Sequence, residues 1–471
     1  MKIHLIGIGG SGISAIARIL LERGHTVSGS DILLSPQAEK LAQDGAQVYP
    51  GHQPDQVHGA DLVIRSSAIP DTNPEVAEAR RLGIPVLKRA DYLAELLADS
   101  YTIAVAGTHG KTTTTAMISW LLTALNRDPS FIVGGTISNL NTNARSGSGR
   151  EFVIEADEYD NMFLGLEPDL AVVTNVEYDH PDLFPDPETY FSAFLSFTGR
   201  VKRGGRLLVC SDDEGAGRLA GFPRSADLEM ITYGISGSPV YLGENIREGI
   251  NGGPIFDFRR GEELFARVGL RIPGLHTVQN AVAALAVIDL LGHSVVEAAQ
   301  ALRDFRGAFR RFQILGTASG VVVIDDYAHH PSEIRATLSA ARSHYPEGRI
   351  WAVWQPHTYF RTQTFFDGFV QAFEMADHVV VTEIFAAREE PLKDFSGRNL
   401  VEAMDHPDVI FAKDFQSAID HMLENLSPGD IVLILSAGDA DVIGIDLLQA
   451  LDRPGPGQTE VRSRFYRASP A

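Results

Sequence analysis

Cysteine is almost absent: Cys210 is the only one in 471 residues. No internal disulfide can form, which agrees with a reducing compartment, and any metal site must rest on histidine and oxygen ligands. Positive charge is scarce as well. Against 61 Asp and Glu stand 40 Lys and Arg, a formal net charge of −21. With no local basic cluster, that balance repels a polyphosphate backbone, and no nucleic-acid partner is expected. Long apolar runs are missing too. None approaches the roughly 18 residues of a spanning helix, although 44% of the chain is hydrophobic and mean hydropathy is −0.02. A soluble globular protein is expected, with no membrane partner. The apolar N-terminus is one strand long and runs straight into glycines, unlike a secretory leader, so the expected location is cytoplasmic. There is no G-x-S-x-G nucleophile elbow, no coiled-coil heptad and no short repeat.

What the chain contains is a steady alternation of short Val/Ile/Leu-rich runs with segments of helical spacing. That pattern predicts an α/β protein built on doubly wound parallel sheets. At roughly 150 residues per domain, the length predicts about three units. KIHLIGI, HTVSGSD, ADLVIRSS and IPVLKR read as strands of a first unit, 1–98. YTIAVAG opens a second, 99–308, with later strands REFVIEAD, DLAVVTNV and GRLLVCSDD and an antiparallel insertion from 225 to 273. GVVVIDD, RIWAVWQ, HVVVTEI and DIVLILS form a third, 309–453. The Gly/Pro/Arg-rich tail, 454–471, is expected to be disordered. Six of these strands run out into polar groups at their carboxyl ends, the edge at which open parallel sheets bind ligands.

The first such edge carries GIGGSG, in which Gly7, Gly9 and Gly12 fit G-x-G-x-x-G and Asp31 closes the next strand. Read alone, this fits the NAD site of a dehydrogenase. The second carries AVAGTHGKTTTTAMISWLL. Its turn can cradle phosphate on backbone N–H groups, Lys111 can reach the β- and γ-phosphates, and the Thr112 hydroxyl can ligate Mg²⁺. ATP or GTP is therefore implied, and a nucleotide-hydrolysing switch is one alternative. EADEYD and VEYDH place Glu155, Asp157, Glu158, Glu177, Asp179 and His180 after neighbouring strands, a set suited to Mg²⁺ or Mn²⁺. In the third unit Asp325, Asp326, His329, His330, His357 and Arg361 can bind or deprotonate a polar substrate. His276 and Asn280 open a helix as a cap or as an adenine contact.

GTHGKTTTT, EADEYD, TNVEYDH, GLHTVQNAVAA, GAFRRF, DDYAHHPSE and QPHTYFRT, in this order and covering nearly the whole chain to about Asp452, resemble the Mur ligase family. The resemblance implies an ATP-dependent amide-bond-forming ligase of peptidoglycan precursor synthesis. GIGGSGISAIA, SGSD, SSAI, DDYAHHP and SAGD are most similar to the branch that joins L-alanine to UDP-N-acetylmuramate. A sister branch attaches a recycled tripeptide to the same sugar, and it typically lacks QPHTYFRT and SAGD. The family implies a Rossmann-like N-terminal domain, a central P-loop ATPase-type domain and a Rossmann-like C-terminal domain that admits the amino acid. Carried over by motif, Gly7, Gly9, Gly10, Ser11, Gly12, Asp31 and Ser67 lie on the UDP-sugar side. Gly107, Thr108, His109, Gly110, Lys111, Thr112 and Thr113 form the phosphate loop, and Thr112, Glu155 and His180 hold Mg²⁺. Asn280 faces adenine, and Arg311 and Arg361 face the polyphosphate or acyl phosphate. Asn139 and Arg145 meet the muramic acid, while Asp326, His329, His330 and His357 line the third-domain side. Partners are small molecules only, and the chain is expected to be a monomer or a weak homodimer.

Overall fold

The computed structural model describes residues 1–222, 227–249 and 252–452, so the expected disordered tail at 454–471 lies outside the described residues. The first sheet contains β1 (Lys2–Ile6), β2 (Thr26–Asp31), β3 (Gln47–Pro50), β4 (Leu62–Arg65) and β5 (Val86–Lys88). They lie in the order β3-β2-β1-β4-β5, and every pair is parallel. Ile3, Leu5 and Ile6 of β1 are all buried, as expected of a parallel strand covered on both faces. Strand order reverses between β1 and β4, which opens a crevice at the end of β1, where the glycine loop begins.

The second sheet contains β6 (Tyr101–Ala106), β7 (Ser130–Ile137), β8 (Thr142–Arg145), β9 (Glu151–Glu155), β10 (Leu170–Val173), β11 (Arg206–Cys210), β12 (Glu229–Gly234), β13 (Tyr241–Glu248), β14 (Pro254–Arg260) and β15 (Glu263–Gly269). Its order is β15-β14-β13-β12-β11-β10-β6-β9-β7-β8. β6 is flanked in parallel by β10 and β9, so the loop after it also occupies a reversal point. The expected antiparallel insertion is seen in β13, β14 and β15, while β12 pairs in parallel with both β11 and β13.

These two sheets share one apolar core. Leu93, Leu96 and Leu97 of the Arg89–Leu97 helix cluster with Phe163, Leu166, Ala104 and Phe152. The described residues accordingly form two compact units, divided between Phe309 and Arg310. The second unit carries β16 (Gln313–Ala318), β17 (Val321–Asp326), β18 (Ile350–Trp354), β19 (His378–Val381), β20 (Val409–Phe411) and β21 (Ile431–Leu435). Their order is β16-β17-β21-β18-β19-β20, with only β16 antiparallel to its neighbour. Among the described residues no helix is long and apolar enough to cross a membrane.

Candidate active site

The loop after β1 is braced by its neighbour strand. Gly7 adopts φ +83° and, with Ile8, donates to the Ser30 carbonyl. Gly9 N–H donates to Asp31 Oδ2 at 2.8 Å, and Ser35 Oγ donates back to the Gly9 carbonyl at 2.9 Å. Asp31 thus holds the loop in shape. Gly10 then caps the Ser11–Glu22 helix with no side-chain hydrogen bond, leaving first-turn N–H groups open to a ligand. Ser67 is exposed in the loop after β4, next to Ser66, whose Cβ would lie 3.1 Å from a Cβ at Gly7.

The loop after β6 is tighter. At Gly107, φ is +140° and a Cβ would run into Thr174 Oγ1; at Gly110, φ is +78° and a Cβ would stand 2.7 Å from Asn280 Oδ1. Neither position accepts another residue without strain. Thr108 Oγ1 donates to the Glu177 carbonyl at 2.7 Å and accepts from its N–H at 3.0 Å. Asn175 grips His109 at both backbone groups, at 2.8 and 3.1 Å, and the His109 ring meets Glu177 at 2.9 Å. The Lys111–Ala124 helix follows. Asn280, on the Leu275–Leu290 helix, accepts from Thr114 Oγ1 at 3.2 Å and so fastens that helix to the loop. Thr113 is partly buried beside them.

Lys111 is enclosed by carbonyls and carboxylates. Its Nζ donates to the carbonyls of Gly107 at 2.5 Å and Thr108 at 3.0 Å, and reaches both Glu158 oxygens at 2.8 and 2.9 Å. Burial disfavours its charge, but Glu158, Asp157 and Glu155 outweigh this and hold its pKa above the ordinary lysine value. Glu155 accepts from Thr112 Oγ1 at 2.9 Å and Gly134 N–H at 2.6 Å, yet burial still pushes its pKa up. Asp157 is likewise raised, by burial first and then by Glu158. Burial acts on Glu158 as well, but there Lys111 and His180 prevail and its pKa falls. His180, at φ +52°, brings Nε2 to 3.6 Å from Glu158 and stacks edge-on against Tyr159.

The second unit gathers its own polar edge from the loops after β17, β18 and β21. Both Asp326 oxygens accept backbone N–H groups, from Phe312 at 2.7 Å and Ala328 at 2.9 Å, and burial lifts its pKa to about 6. Burial lifts Asp325 to about 6 too, beside Arg310. The Arg311 guanidinium lies 4.9 Å from the centroid of the Tyr327 ring. His329 Nδ1 contacts the Tyr327 carbonyl at 2.9 Å, and His330 caps the Pro331–His344 helix. Buried Arg361 donates to His357 Nδ1 at 3.0 Å, while Gln355 ties the β18 and β21 loops through Ser436 and Asp439.

Residues 2–101 match the Mur ligase family catalytic domain, residues 105–288 the Mur ligase middle domain, and residues 310–438 the Mur ligase glutamate ligase domain. The chain belongs to the Mur ligase family. It is an ATP-dependent ligase of that family. UDP-N-acetylmuramate--L-alanine ligase of Rubrobacter xylanophilus is 45% identical to it over 457 residues, 96% of this chain and all of the relative. The enzyme of the same name from Roseiflexus castenholzii is 43% identical, over 96% of this chain and 98% of its own. The crystal structure of UDP-N-acetylmuramate-alanine ligase from Thermotoga maritima superposes with a TM-score of 0.80 at 28% identity, covering 96% of this chain and 99% of that one. A murein peptide ligase from Psychrobacter arcticus gives 0.70 at 26%, with the same coverage.

Set against the Mur ligase motifs, the structure brings Gly107 to Thr112, Glu155, His180 and Asn280 together in the first unit. Two other expected residues are engaged elsewhere. Asn139 spends its amide on Asp304 and Arg306, at 2.7 Å each. Arg145 binds Thr123 and the Pro129 carbonyl and pairs with Asp128. Thr123 stands near the far end of the helix that Lys111 begins, about 18 Å away at 1.5 Å per residue. Arg145 thus ties strand to helix in this structure. Sequence reasoning underrated Asn175 and Glu158. Their signal was the strand-end position itself, which says that a residue borders the crevice but not what it grips.

Proposed function

We propose that this ligase joins L-alanine to the lactyl carboxylate of UDP-N-acetylmuramate, converting ATP to ADP and phosphate. The observation that carries this is the two pairs Lys111–Glu158 and Thr112–Glu155 at the head of a phosphate loop, in a chain that aligns over 96% of its length with L-alanine ligases. We take 1–98 as the sugar-nucleotide domain, 99–308 as the ATP domain and 309–453 as the amino-acid domain.

A carboxylate oxygen of the sugar attacks the ATP γ-phosphorus and ADP departs, leaving an acyl phosphate. The neutral amine of L-alanine then attacks the acyl carbon, phosphate leaves with the carbon–oxygen bonding pair, and the amine sheds a proton. Both steps build charge on oxygen, so positioning and electrostatic stabilisation carry the chemistry. In this reading Lys111 leaves Glu158 for the phosphates, the loop N–H groups from Gly107 to Thr113 hold them, and Asn280 borders adenine. Arg311 and Arg361 neutralise the transferring group, and His329, His330, His357 and Asp326 receive the amino acid.

The donor set fits a hard divalent cation: one hydroxyl, one imidazole and a group of carboxylates too negative for a single ammonium, with Glu155 and Asp157 raised by burial. Thr112, Glu155 and His180 would hold Mg²⁺, which supplies charge neutralisation of the polyphosphate when bound. The test is substrate dependence. Purified protein is expected to release ADP and phosphate only when UDP-N-acetylmuramate, L-alanine, ATP and Mg²⁺ are all present. Turnover of ATP without the sugar contradicts the reading.

A further inference from the structure

Two helices that carry nucleotide-loop residues end together at the opposite edge of the second sheet. The Lys111–Ala124 helix starts at the phosphate loop and is followed by Asn126 and Arg127, while the Leu275–Leu290 helix carries Asn280 and is followed by Leu291 and His293. Between their carboxyl ends and the amino ends of β6, β9 and β11 lies a cavity of about 410 Å³. Tyr101, Glu151 and Arg206 open those strands and line it. The 14 residues of the first helix set it about 20 Å from the phosphate loop, at 1.5 Å per residue.

The lining is cationic in a chain whose net charge is −21. Arg127, Arg150 and Arg206 stand there against a single carboxylate, Glu151. Arg206 is committed, to Glu229 at 3.0 Å and the Leu290 carbonyl at 2.7 Å. The Arg150 guanidinium lies 4.8 Å from the centroid of the Tyr101 ring, with Nε 3.6 Å from Glu151. Arg127 is exposed, and among the described residues no hydrogen bond or ion pair engages its guanidinium. His293 Nε2 is sealed from solvent and has no hydrogen-bond partner. Burial, Arg127 and Arg150 hold the His293 pKa below the ordinary imidazole value, with Glu151 acting the other way.

Helix carboxyl ends attract cations, but these two ends are already closed. The N–H groups of Leu125, Asn126 and Arg127 donate to the carbonyls of Leu121, Thr123 and Leu122, and those of Leu291, Gly292 and His293 to Val287, Asp289 and Ile288. That leaves a guanidinium without an anion and an imidazole nitrogen without a partner on one cavity. Its volume falls within the range of about 300–1,000 Å³ usual for small-ligand sites. Arginine forks match the oxygens of phosphate and carboxylate in pairs, and Leu290 and Leu291 supply an apolar wall.

We propose that this cavity binds a small organic dianion, a phosphate ester or a polycarboxylate, with Arg127 and Arg150 gripping its oxygens and His293 Nε2 donating to it. No residue of the reaction scheme above lines the cavity, so the ligand is held rather than converted.

The experiment is calorimetric titration of ribose 5-phosphate, and separately of tricarballylate, into the full chain kept saturated with Mg²⁺, a non-hydrolysable ATP analogue and UDP. At least one probe should bind at a single site, and which one does so separates the phosphate ester from the polycarboxylate. Arg127→Gln should weaken that binding about 10-fold and the Arg127→Gln/Arg150→Gln pair about 100-fold, while Arg127→Lys keeps part of it. The melting temperature of Arg127→Gln and its affinity for the ATP analogue should match the parent's. In NMR of histidine-labelled protein, the His293 signal, identified by its loss in His293→Gln, should move during the titration. Its titration midpoint should rise, because the anion offsets Arg127 and Arg150. Failure of both probes to bind the parent chain overturns the proposal. Binding that survives both arginine substitutions, or that leaves the His293 signal in place, overturns it as well. Arginines that only compensate the helix ends would lower the melting temperature when replaced and leave binding unchanged, and that result also overturns it.

Discussion

Lys111 illustrates how much of this site turns on single residues. Its ammonium faces Glu158, whose side chain is 1% exposed, so removing the cation strands a buried carboxylate. Lys111→Met should abolish ADP release and destabilise the first unit by about 3–5 kcal/mol, read by urea denaturation. Adding Glu158→Gln should return most of the stability and none of the activity, which separates the two roles of the lysine. Asp326 gives a second residue-level expectation. Its carboxyl, lifted by burial to about 6 from a usual 3.8, favours the folded state when protonated. That contribution is complete below the unfolded pKa of about 3.9 and is lost as pH rises through about 6. Carbon-detected NMR of the side chain should show a titration midpoint near 6, and a midpoint near 4 would contradict the burial argument. Residue types at strand ends announced Lys111, Thr112, Glu155 and His180. The partners of Arg145, Thr123 and Asp128, were not legible, because a strand residue's sequence position does not say which end of a helix its long side chain will reach.

Among the elements, the two glycine turns do the positioning. Gly110→Ala forces a left-handed alanine, at about 1–2 kcal/mol, and pushes its Cβ toward Asn280 Oδ1, 2.7 Å away. The displaced Asn280 should raise the KM for ATP by about 10- to 100-fold while the KM for L-alanine stays constant, a split that steady-state kinetics reads directly. Strands buried along all or nearly all of their length, such as β21 and β6, were plain in the sequence because parallel strands covered on both faces are nearly continuously apolar. β7 escaped notice because Gly134 and Gly135 interrupt SFIVGGTI, and β8 because TNAR is short and polar. Polar burial was equally silent. His4, on β1, is wholly buried against Glu75, which also accepts from Ser30 and meets His52. Nothing local in KIHLI marks its histidine as an interior group, since its hydrogen-bond partners, Ser28 and Glu75, come from two distant segments.

At the scale of the molecule, three sheets were legible from the spacing of apolar runs and loops, but the apolar core that the first two share was not. The sequence reads as three units, and three family domains match at 2–101, 105–288 and 310–438; the first two sheets share a core through Leu93, Leu96, Leu97 and Phe163. An amphipathic helix declares that it has an apolar face, not which sheet will cover it. Substrate choice is a whole-molecule property of the same kind, because both a UDP-N-acetylmuramate-alanine ligase and a murein peptide ligase share the fold. The most direct test offers the purified chain UDP-N-acetylmuramate, ATP and Mg²⁺ with equimolar L-alanine and the tripeptide L-alanyl-γ-D-glutamyl-meso-diaminopimelate, followed by mass spectrometry of the sugar nucleotide. The expected product is the L-alanine adduct with stoichiometric ADP and phosphate. A tripeptide adduct in its place, or no adduct, would contradict the account.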